Sequence, residues 1–290
     1  MQQFFNTLSP ETLEPALYII STPIGNIKDI TIRGLGVIKS CEYFFCEDTR
    51  VTKGLFEIYG IKNKKFFVYN DYSNDATRQN ILKLIQEDNA VALVSDAGTP
   101  LISDPGFKLV RFLKNNGKKV ISIGGISAFT TALSCSGISS DRFEFFGFLP
   151  TKCGDKTEKL REILNKDISV ICYESPNRLL NTLKLIKDMD NNRIICVARE
   201  LTKMFETVIT NTVEYLFDYY NNHKDELRGE IVLLIEKNTK IKTLDLVNFN
   251  SILRESLKYM SVKNSAEFLS GVFNWNKKEV YNTLLTLGKE

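Results

Sequence analysis

The sequence has little of the chemistry that supports metal or thiol sites. It contains one histidine, His223, and its six cysteines form no Cys-x-x-Cys pair. A histidine-based metal site is therefore excluded, and we predict no bound metal. For the cysteines, a zinc or redox role is a less favoured alternative to reduced core thiols. We expect reduced core thiols in a cytoplasmic protein. His223 lies in the polar stretch 221–228, so we expect it in a solvated loop and assign the chemistry to carboxylates, Lys, Arg, Tyr, backbone groups or a cofactor.

Long apolar runs and a strong charge of one sign are also missing. No run approaches the ~20 apolar residues of a membrane span. The first 15 residues lack the basic start and the apolar segment of a signal peptide. We therefore expect no membrane partner and a cytoplasmic location. Lys and Arg total 38 against 35 Asp and Glu, a net charge of +3. That balance permits an RNA partner without requiring one, because a local patch decides.

What is present is an alternation of short apolar runs and helical patterns, which is typical of an α/β protein. In the first half we predict strands over 17–22, 43–46, 66–69, 90–95 and 119–123. Helices are predicted over 75–88 and 105–116, the second capped by Asp104 with Pro105 in its first position. In the second half the predicted strands are 143–148, 168–173, 193–199, 204–210 and 229–236. The helices predicted among them are 155–165, 176–188 and 212–220.

This pattern predicts two α/β domains followed by a small helical domain. The predicted boundaries are 1–16 for an N-terminal extension, 17–123 and 124–237 for the α/β domains, and 245–290 for the helical domain. The glycine-containing segment 124–128 is predicted to be the hinge between the α/β domains. In the helical domain, lysines interleaved with Trp275 and Tyr281 can contact RNA, but nearby glutamates dilute the charge. A solvated helical domain is the better interpretation of its composition.

Three loops rich in glycine and proline follow predicted strands, at residues 22–26, 95–106 and 124–128. Ligands of open α/β sheets bind beyond the carboxyl ends of strands, so these loops favour one shared binding edge. Gly98 lets the backbone approach a ligand, Asp96 can receive an ammonium or hydroxyl group, and amides near Thr99 can hold a carboxylate. The alternative is a tight turn without a ligand. Neither GxGxxG nor GxxxxGK[ST] occurs, so a nucleotide-phosphate site is poorly supported.

Charged clusters follow three other strands, at residues 47–50, 173–178 and 199–203. Charges next to apolar strands are costly unless they are paired or functional. For any one cluster, internal ion pairing explains the charges well, for example Glu200 with Arg199 or Arg178. Three clusters in one chain favour a site.

A family resemblance rests on blocks that occur in order: Leu17–Asn26, Glu47–Arg50, Val94–Gly106, Asp141–Pro150, Tyr173–Ser175, Ala198–Lys203 and Gly229–Glu230. Together they resemble the ribosomal RNA small subunit methyltransferase I family over about residues 17–236, and more weakly over 262–284. The resemblance implies a tetrapyrrole methylase-like fold that binds S-adenosyl-L-methionine between two α/β domains. It also implies a homodimer that 2′-O-methylates a cytidine ribose in the decoding region of 16S rRNA, with the small ribosomal subunit and not DNA as partner.

The matching blocks imply which residues surround the cofactor. From the first half these are Pro23, Gly25, Asp96, Gly98, Thr99, Pro100, Ser127 and Ala128. From the second half they are Tyr173, Glu174, Ala198 and Gly229.

The sequence departs from the family in two places. Family members usually have Pro-Gly-Pro-Ser/Cys-Ala where this chain has Gly124-Gly125-Ile126-Ser127-Ala128, which makes the hinge more flexible and bears on cofactor affinity. Histidines common in the family are replaced by Val51, Asn70 and Tyr72, so a family histidine is not the base here.

A hydroxyl nucleophile needs a proton acceptor. Our hypothesis is Glu47 or Asp48 as acceptor, with Arg50 and Lys203 holding RNA phosphate or tuning the acceptor. Two alternatives remain open: a small-molecule, tetrapyrrole-type methylase of the same fold, and a non-enzymatic RNA-binding assembly factor.

Overall fold

The computed structural model describes residues 11–238, 246–273 and 275–288, without the side chains of 246–249. The chain forms two compact units, residues 1–237 and 238–290. Residues 1–10 of the predicted N-terminal extension lie outside the described residues. Among the described residues, no helix is both long and apolar enough to cross a membrane.

The first sheet contains five parallel strands in the order β3-β2-β4-β1-β5. The strands are β1 (Leu17–Ile20), β2 (Tyr43–Cys46), β3 (Lys65–Val68), β4 (Val91–Val94) and β5 (Val120–Ile123). The accompanying helices are α1 (Ile32–Ser40), α2 (Thr49–Ile58), α3 (Asp75–Gln86), α4 (Phe107–Asn115) and α5 (Ala128–Ser136).

The second sheet is mixed, in the order β6-β7-β10-β8-β9, with β6 and β7 parallel and the other neighbours antiparallel. Its strands are β6 (Phe143–Phe148), β7 (Ser169–Glu174), β8 (Ile194–Arg199), β9 (Thr207–Thr212) and β10 (Ile231–Ile235). Its helices are α6 (Cys153–Leu164), α7 (Pro176–Met189) and α8 (Val213–Asn222). The second unit has three helices among its described residues: α9 (Leu246–Leu257), α10 (Val262–Phe273) and α11 (Lys277–Leu287).

The central strands β1 and β4 are apolar and buried along their whole length, because both faces of the sheet are covered there. Along β4, Ala92 and Val94 pack into one core cluster, whereas Val91 and Leu93 pack into another on the opposite face. A parallel sheet with helices on both sides requires this pattern. The α/β class with two sheets and C-terminal helices is thus confirmed.

Three helices were not among the predictions: α1, α2 and α5. The first two carry cap signals in the sequence, since Thr31 Oγ1 accepts from the Gly34 amide at 3.0 Å and Asp48 Oδ1 accepts from the Arg50 amide at 2.8 Å. Such caps satisfy amides that lack a helical partner. The strand predicted over 204–210 lies at Thr207–Thr212.

The predicted cap of helix 105–116 is wrong. The helix begins at Phe107, and its N-cap is Gly106, which has φ of 140° and makes no side-chain cap bond. The preceding loop turns through the left-handed region at Leu101 and Ser103, with φ of 74° and 62°. Asp104 and Pro105 therefore lie in a bend before the helix.

The cysteine prediction holds for four of the six thiols. Cys41, Cys46, Cys172 and Cys196 are buried. Cys135 and Cys153, both on helices, are exposed, which corrects the expectation of core thiols throughout. His223 is exposed at the end of α8, and its Nδ1 lies 2.8 Å from the Tyr219 carbonyl oxygen.

A buried ion network joins β7 to its two flanking helices. Lys156 Nζ on α6 donates to Glu174 Oε2 at 3.0 Å and to Thr182 Oγ1 at 2.9 Å. Arg178 Nε lies 2.9 Å from Glu174 Oε1. The Lys156 and Glu174 side chains are only 3% and 0% exposed. Their charges are therefore compatible with burial only as partners.

We expect Lys156→Met to destabilise the protein by about 3 kcal/mol, because it leaves the Glu174 carboxylate buried with less compensation. Urea denaturation of the full chain measures the change. The matched control is Lys83→Met, whose 3.8 Å pair with Glu87 is exposed on α3 and should contribute little. Equal stability of the two variants would contradict this account.

Candidate active site

A cavity of about 370 Å³ lies between the carboxyl end of the first sheet and the second sheet, within the unit 1–237. Residues from the loop after β4 form one wall, and residues from β7, β10 and their loops form the facing wall. Cavities of this size hold cofactors, since ligand pockets usually measure roughly 300–1,000 Å³. The lining is mixed, with apolar Ile24, Leu201 and Val232 beside polar Thr99 and Ser127.

Hydrogen bonds tie together the three loops that the sequence singled out. The Thr22 amide donates to the Gly98 carbonyl at 2.8 Å, and the Gly98 amide donates to the Thr22 carbonyl at 2.9 Å. Thr99 Oγ1 donates to the Ile126 carbonyl at 3.0 Å and lies 2.9 Å from Ser21 Oγ. The loops after β1, β4 and β5 therefore form one continuous edge, as predicted. Because the Gly98 amide is engaged, it does not serve a ligand carboxylate.

Backbone strain is concentrated beside this cavity. Six non-glycine residues have positive φ among the described residues, and four lie in two loops at the cavity: Leu101, Ser103, Glu200 and Thr202. Each such conformation costs on the order of 1–3 kcal/mol and persists only when its surroundings enforce it. Functional sites are where such strain collects, which supports assigning a function to this cavity.

The loop 200–203 packs directly on the loop after β1. The Asn26 amide donates to Thr202 Oγ1 at 2.9 Å. A Cβ on Gly25 would lie 2.4 Å from Lys203 Cγ and 3.0 Å from the Leu201 carbonyl oxygen, so glycine is required for this approach. By allowing this close approach, Gly25 helps to position Leu201, which lines the cavity.

Lys203 is held by two carboxylates. Its Nζ lies 2.7 Å from Glu200 Oε1 and 2.8 Å from Glu230 Oε2. Burial acts to lower the pKa of Lys203, but the two ion pairs outweigh it and the net shift is upward. Gly229, with φ of 82°, precedes Glu230, and a Cβ there would overlap Glu200. The cluster thus fixes Glu230 at the cavity wall.

Carboxyl groups make one side of the cavity electronegative. Burial raises the pKa of Asp104 to about 6, and the charges of Glu47 and Asp96 add to the effect. Burial likewise raises the pKa of Asp96 and of Glu47. These acids hold protons more tightly than acids in water do.

The pKa of Asp48 is shifted in the opposite direction, downward. Hydrogen bonds from Arg50 lower the pKa of Asp48 to about 2. Arg50 Nη2 lies 2.6 Å from Asp48 Oδ2, and its side chain is 89% exposed. The Asp48 amide donates to Asp96 Oδ1 at 3.2 Å, which places this cluster next to the cavity wall. A carboxylate held charged by a guanidinium is a weak proton acceptor.

The structure brings together eight of the twelve residues expected at the cofactor. The eight that line the cavity are Asp96, Gly98, Thr99, Ser127, Ala128, Tyr173, Glu174 and Gly229. The four that do not are Pro23, Gly25, Pro100 and Ala198. Ala198 is fully buried in the core that packs against Ile24, and the Glu174 carboxylate is turned into the network with Lys156.

None of the four residues proposed for catalysis, Glu47, Asp48, Arg50 and Lys203, is part of the cavity lining. Sequence reasoning missed Asp104 as a cavity residue by assigning it to a helix cap. It also missed the apolar lining residues, since Ile24, Leu201, Ile231 and Val232 resemble ordinary core positions. The signal for Asp104 was present, because it lies in the same loop as Asp96 and Gly98.

Comparison with known proteins agrees with this geometry. Residues 16–216 match the family model of Tetrapyrrole (Corrin/Porphyrin) Methylases. A crystal structure of diphthine synthase superposes with a TM-score of 0.58 over 81% of this chain and 93% of that chain, at 15% identity. At that identity the likeness concerns the fold alone. The fold and the cavity thus define a protein of the tetrapyrrole methylase class.

Curated relatives narrow the class. The chain is 40% identical over 275 residues to ribosomal RNA small subunit methyltransferase I of Rickettsia prowazekii (strain Madrid E), covering 94% of this chain and 97% of the relative. It is 39% identical over 268 residues to the protein of the same name from Pasteurella multocida (strain Pm70), covering 91% and 95%. The chain belongs to the ribosomal RNA small subunit methyltransferase I family, whose members are methyltransferases dependent on S-adenosylmethionine.

The cavity suits that cofactor. Ile24, Leu201 and Val232 offer apolar surface to an adenine ring, and Asp96 and Glu230 offer oxygens to hydroxyl, ammonium or sulfonium groups. Gly98, with φ of 79°, lines the cavity and has no side chain that would take up space in it. Among the described residues, no cluster of His, Cys, Asp and Glu has metal-binding geometry.

We expect Gly25→Ala to weaken S-adenosylmethionine binding at least about tenfold, because the added methyl group forces the 22–26 loop away from 200–203. Isothermal titration calorimetry measures the affinity. The control is Gly54→Ala on α2, where a Cβ meets nothing within 4 Å. That change should preserve affinity and stabilise the helix by about 0.5–1 kcal/mol. Unchanged affinity in Gly25→Ala would refute the role given to this loop contact.

Proposed function

We propose that the protein 2′-O-methylates a cytidine ribose in the decoding region of 16S rRNA. The observation that carries this proposal is the similarity to ribosomal RNA small subunit methyltransferase I across 94% of the chain, which includes every residue that lines the cavity on both walls. The small ribosomal subunit is the proposed partner, the cytoplasm the proposed location, and a homodimer the proposed assembly.

The bound cofactor supplies an electrophilic methyl group. The chain's own contribution is to position the substrate hydroxyl, exclude water and accept a proton. Of the residues expected at the cofactor, Asp96, Gly98, Thr99, Ser127, Ala128, Tyr173 and Gly229 would hold it, with Glu174 contributing its backbone. Orientation of the two reactants in a shared cavity can lower the barrier by roughly 7–11 kcal/mol.

Arg50 is proposed to contact RNA phosphate. Its side chain is 89% exposed, and its ion-pair partner in the described part of the chain is Asp48. An exposed pair of this kind contributes little to stability and exchanges readily for a phosphate, to which arginine binds in a bidentate manner. Lys203 is more restrained by Glu200 and Glu230, so its proposed role is to position Glu230 and Leu201.

The test is methyl transfer from labelled S-adenosylmethionine to 30S subunits, free 16S rRNA and uroporphyrinogen III, followed by mapping of 2′-O-methylated positions. We expect label at a single cytidine of 16S rRNA. Transfer to the tetrapyrrole alone would favour the small-molecule methylase. RNA binding without cofactor binding or transfer would favour an assembly factor.

We expect Arg50→Ala to weaken binding to 16S rRNA and to reduce the slope of log affinity against log salt by about one, because one phosphate contact is lost. Filter binding between 50 and 200 mM salt measures both quantities. Arg161→Ala, which removes an exposed arginine on α6, is the charge-matched control. An unchanged slope in Arg50→Ala, or an equal change in both variants, would exclude the proposed contact.

A further inference from the structure

Asp104 lies on the walls of two cavities. One is the 370 Å³ cavity assigned to the cofactor, and the other is a smaller cavity of about 100 Å³ beside it. Of the described residues, Asp104 is the one that the two linings have in common. A group bound in either cavity is therefore next to the same residue.

The wall of the smaller cavity combines apolar surface with polar and cationic residues. Its lining includes Asn70, Asp71, Arg78 and Lys108, together with Tyr69. Arg78 is fixed in place, since its Nη1 donates to the Ser73 carbonyl at 3.0 Å and its guanidinium pairs with Asp75. Hydroxyl, amide and cationic groups of this kind match the hydroxyls and the phosphate of a nucleotide.

An aromatic surface borders the smaller cavity. Phe107 lines it and is 57% exposed, although it is a large apolar side chain at the start of α4. The Arg111 guanidinium lies over the Phe107 ring, 4.3 Å from its centroid. An exposed ring with a guanidinium stacked on it and a lysine next to it in the chain is a combination that binds unstacked RNA bases.

The surroundings of Asp104 favour proton uptake near neutral pH. The groups that face it on the side of β2 and β4 are acidic, namely Glu47 and Asp96. Tyr173 approaches from the second sheet, and Asp71, Arg78 and Lys108 line the smaller cavity. Burial and the two neighbouring acids raise the pKa of Asp104 to about 6, close to the range in which a general base is most effective.

We propose that the ribose of the target nucleotide enters the smaller cavity and that Asp104 accepts the proton of the ribose hydroxyl group that becomes methylated. This inference rests on the proposed function and replaces Glu47 and Asp48 as the acceptor. Glu47 becomes a positioning residue whose charge tunes Asp104. The shared wall places the acceptor where the nucleotide and the methyl donor meet.

The step balances in atoms and charge. The hydroxyl oxygen forms a bond to the methyl carbon, and the carbon–sulfur bond breaks with its electron pair remaining on sulfur. The hydroxyl proton moves to a carboxylate oxygen of Asp104. The sulfonium charge and the carboxylate charge are both neutralised, and the acid returns its proton to water after the product leaves.

The experiment compares wild type, Asp104→Asn and Glu47→Gln in single-turnover transfer to 30S subunits from pH 5 to 9. Asp104 must be ionised to accept a proton, so wild-type transfer should fall as pH drops below about 6. Asp104→Asn should slow transfer by roughly 10²–10⁴-fold and lose this acidic limb. Glu47→Gln should keep the limb but move it to lower pH, because a neighbouring negative charge is removed.

Two readouts separate chemistry from folding. Calorimetry gives the cofactor affinity of Asp104→Asn, so that transfer rates are compared at saturating cofactor. Carboxyl-carbon NMR should show one resonance titrating near pH 6 that this variant lacks. Asp188→Asn, on the exposed face of α7, is the matched control and should leave rate and profile unchanged.

The inference would be overturned if Asp104→Asn kept the transfer rate and pH profile of the wild type. It would also be overturned if the loss of transfer were explained wholly by failed cofactor binding. Abolition of transfer in Glu47→Gln with little effect of Asp104→Asn would return the role of acceptor to Glu47. Failure of the proposed function is distinguishable, because it shows as no transfer to RNA by the wild-type protein.

Discussion

The reciprocal hydrogen bonds between Thr22 and Gly98 are the constraint on which the site depends. They join the carboxyl ends of β1 and β4 with distances of 2.8 and 2.9 Å, and Gly98 needs φ of 79° to make them. A residue with a side chain rarely adopts that conformation. Because the two loops are held at this point, the chain from Thr99 to Gly106 must turn back through strained residues, and its inner surface becomes a cavity wall.

Several ionised groups at and near the cavity are paired with opposite charges, and a few acids that face the cavity are not. Glu174 is neutralised by Lys156 and Arg178, Asp48 by Arg50, and Lys203 by Glu200 and Glu230. The pKa of Asp104 is raised chiefly by its burial, and none of the groups that shift it is a cation. An electronegative wall of this kind suits a cationic methyl donor and gives the site an acid with a proton affinity near neutral.

Sequence reasoning predicted the strands and the shared loop edge well, because apolar periodicity and glycine placement are local properties of the chain. It did not predict the conformation of residues 101–106. Asp104-Pro105 has the composition of a helix start, yet the tertiary contacts that impose left-handed backbone at Leu101 and Ser103 move the start to Phe107. The partners of the charges were also not predicted: Arg178 at the start of α7 pairs with Glu174 at the end of β7, and Glu200 pairs with Lys203. Ion pairing depends on side-chain directions that strand order alone does not specify.

The most direct test of the central claim is a crystal structure of the protein with S-adenosylhomocysteine bound. This account predicts the ligand in the 370 Å³ cavity, against Gly98, Thr99 and Tyr173, with the Thr22–Gly98 hydrogen bonds intact. A ligand bound elsewhere, or bound only after those hydrogen bonds break, would contradict it.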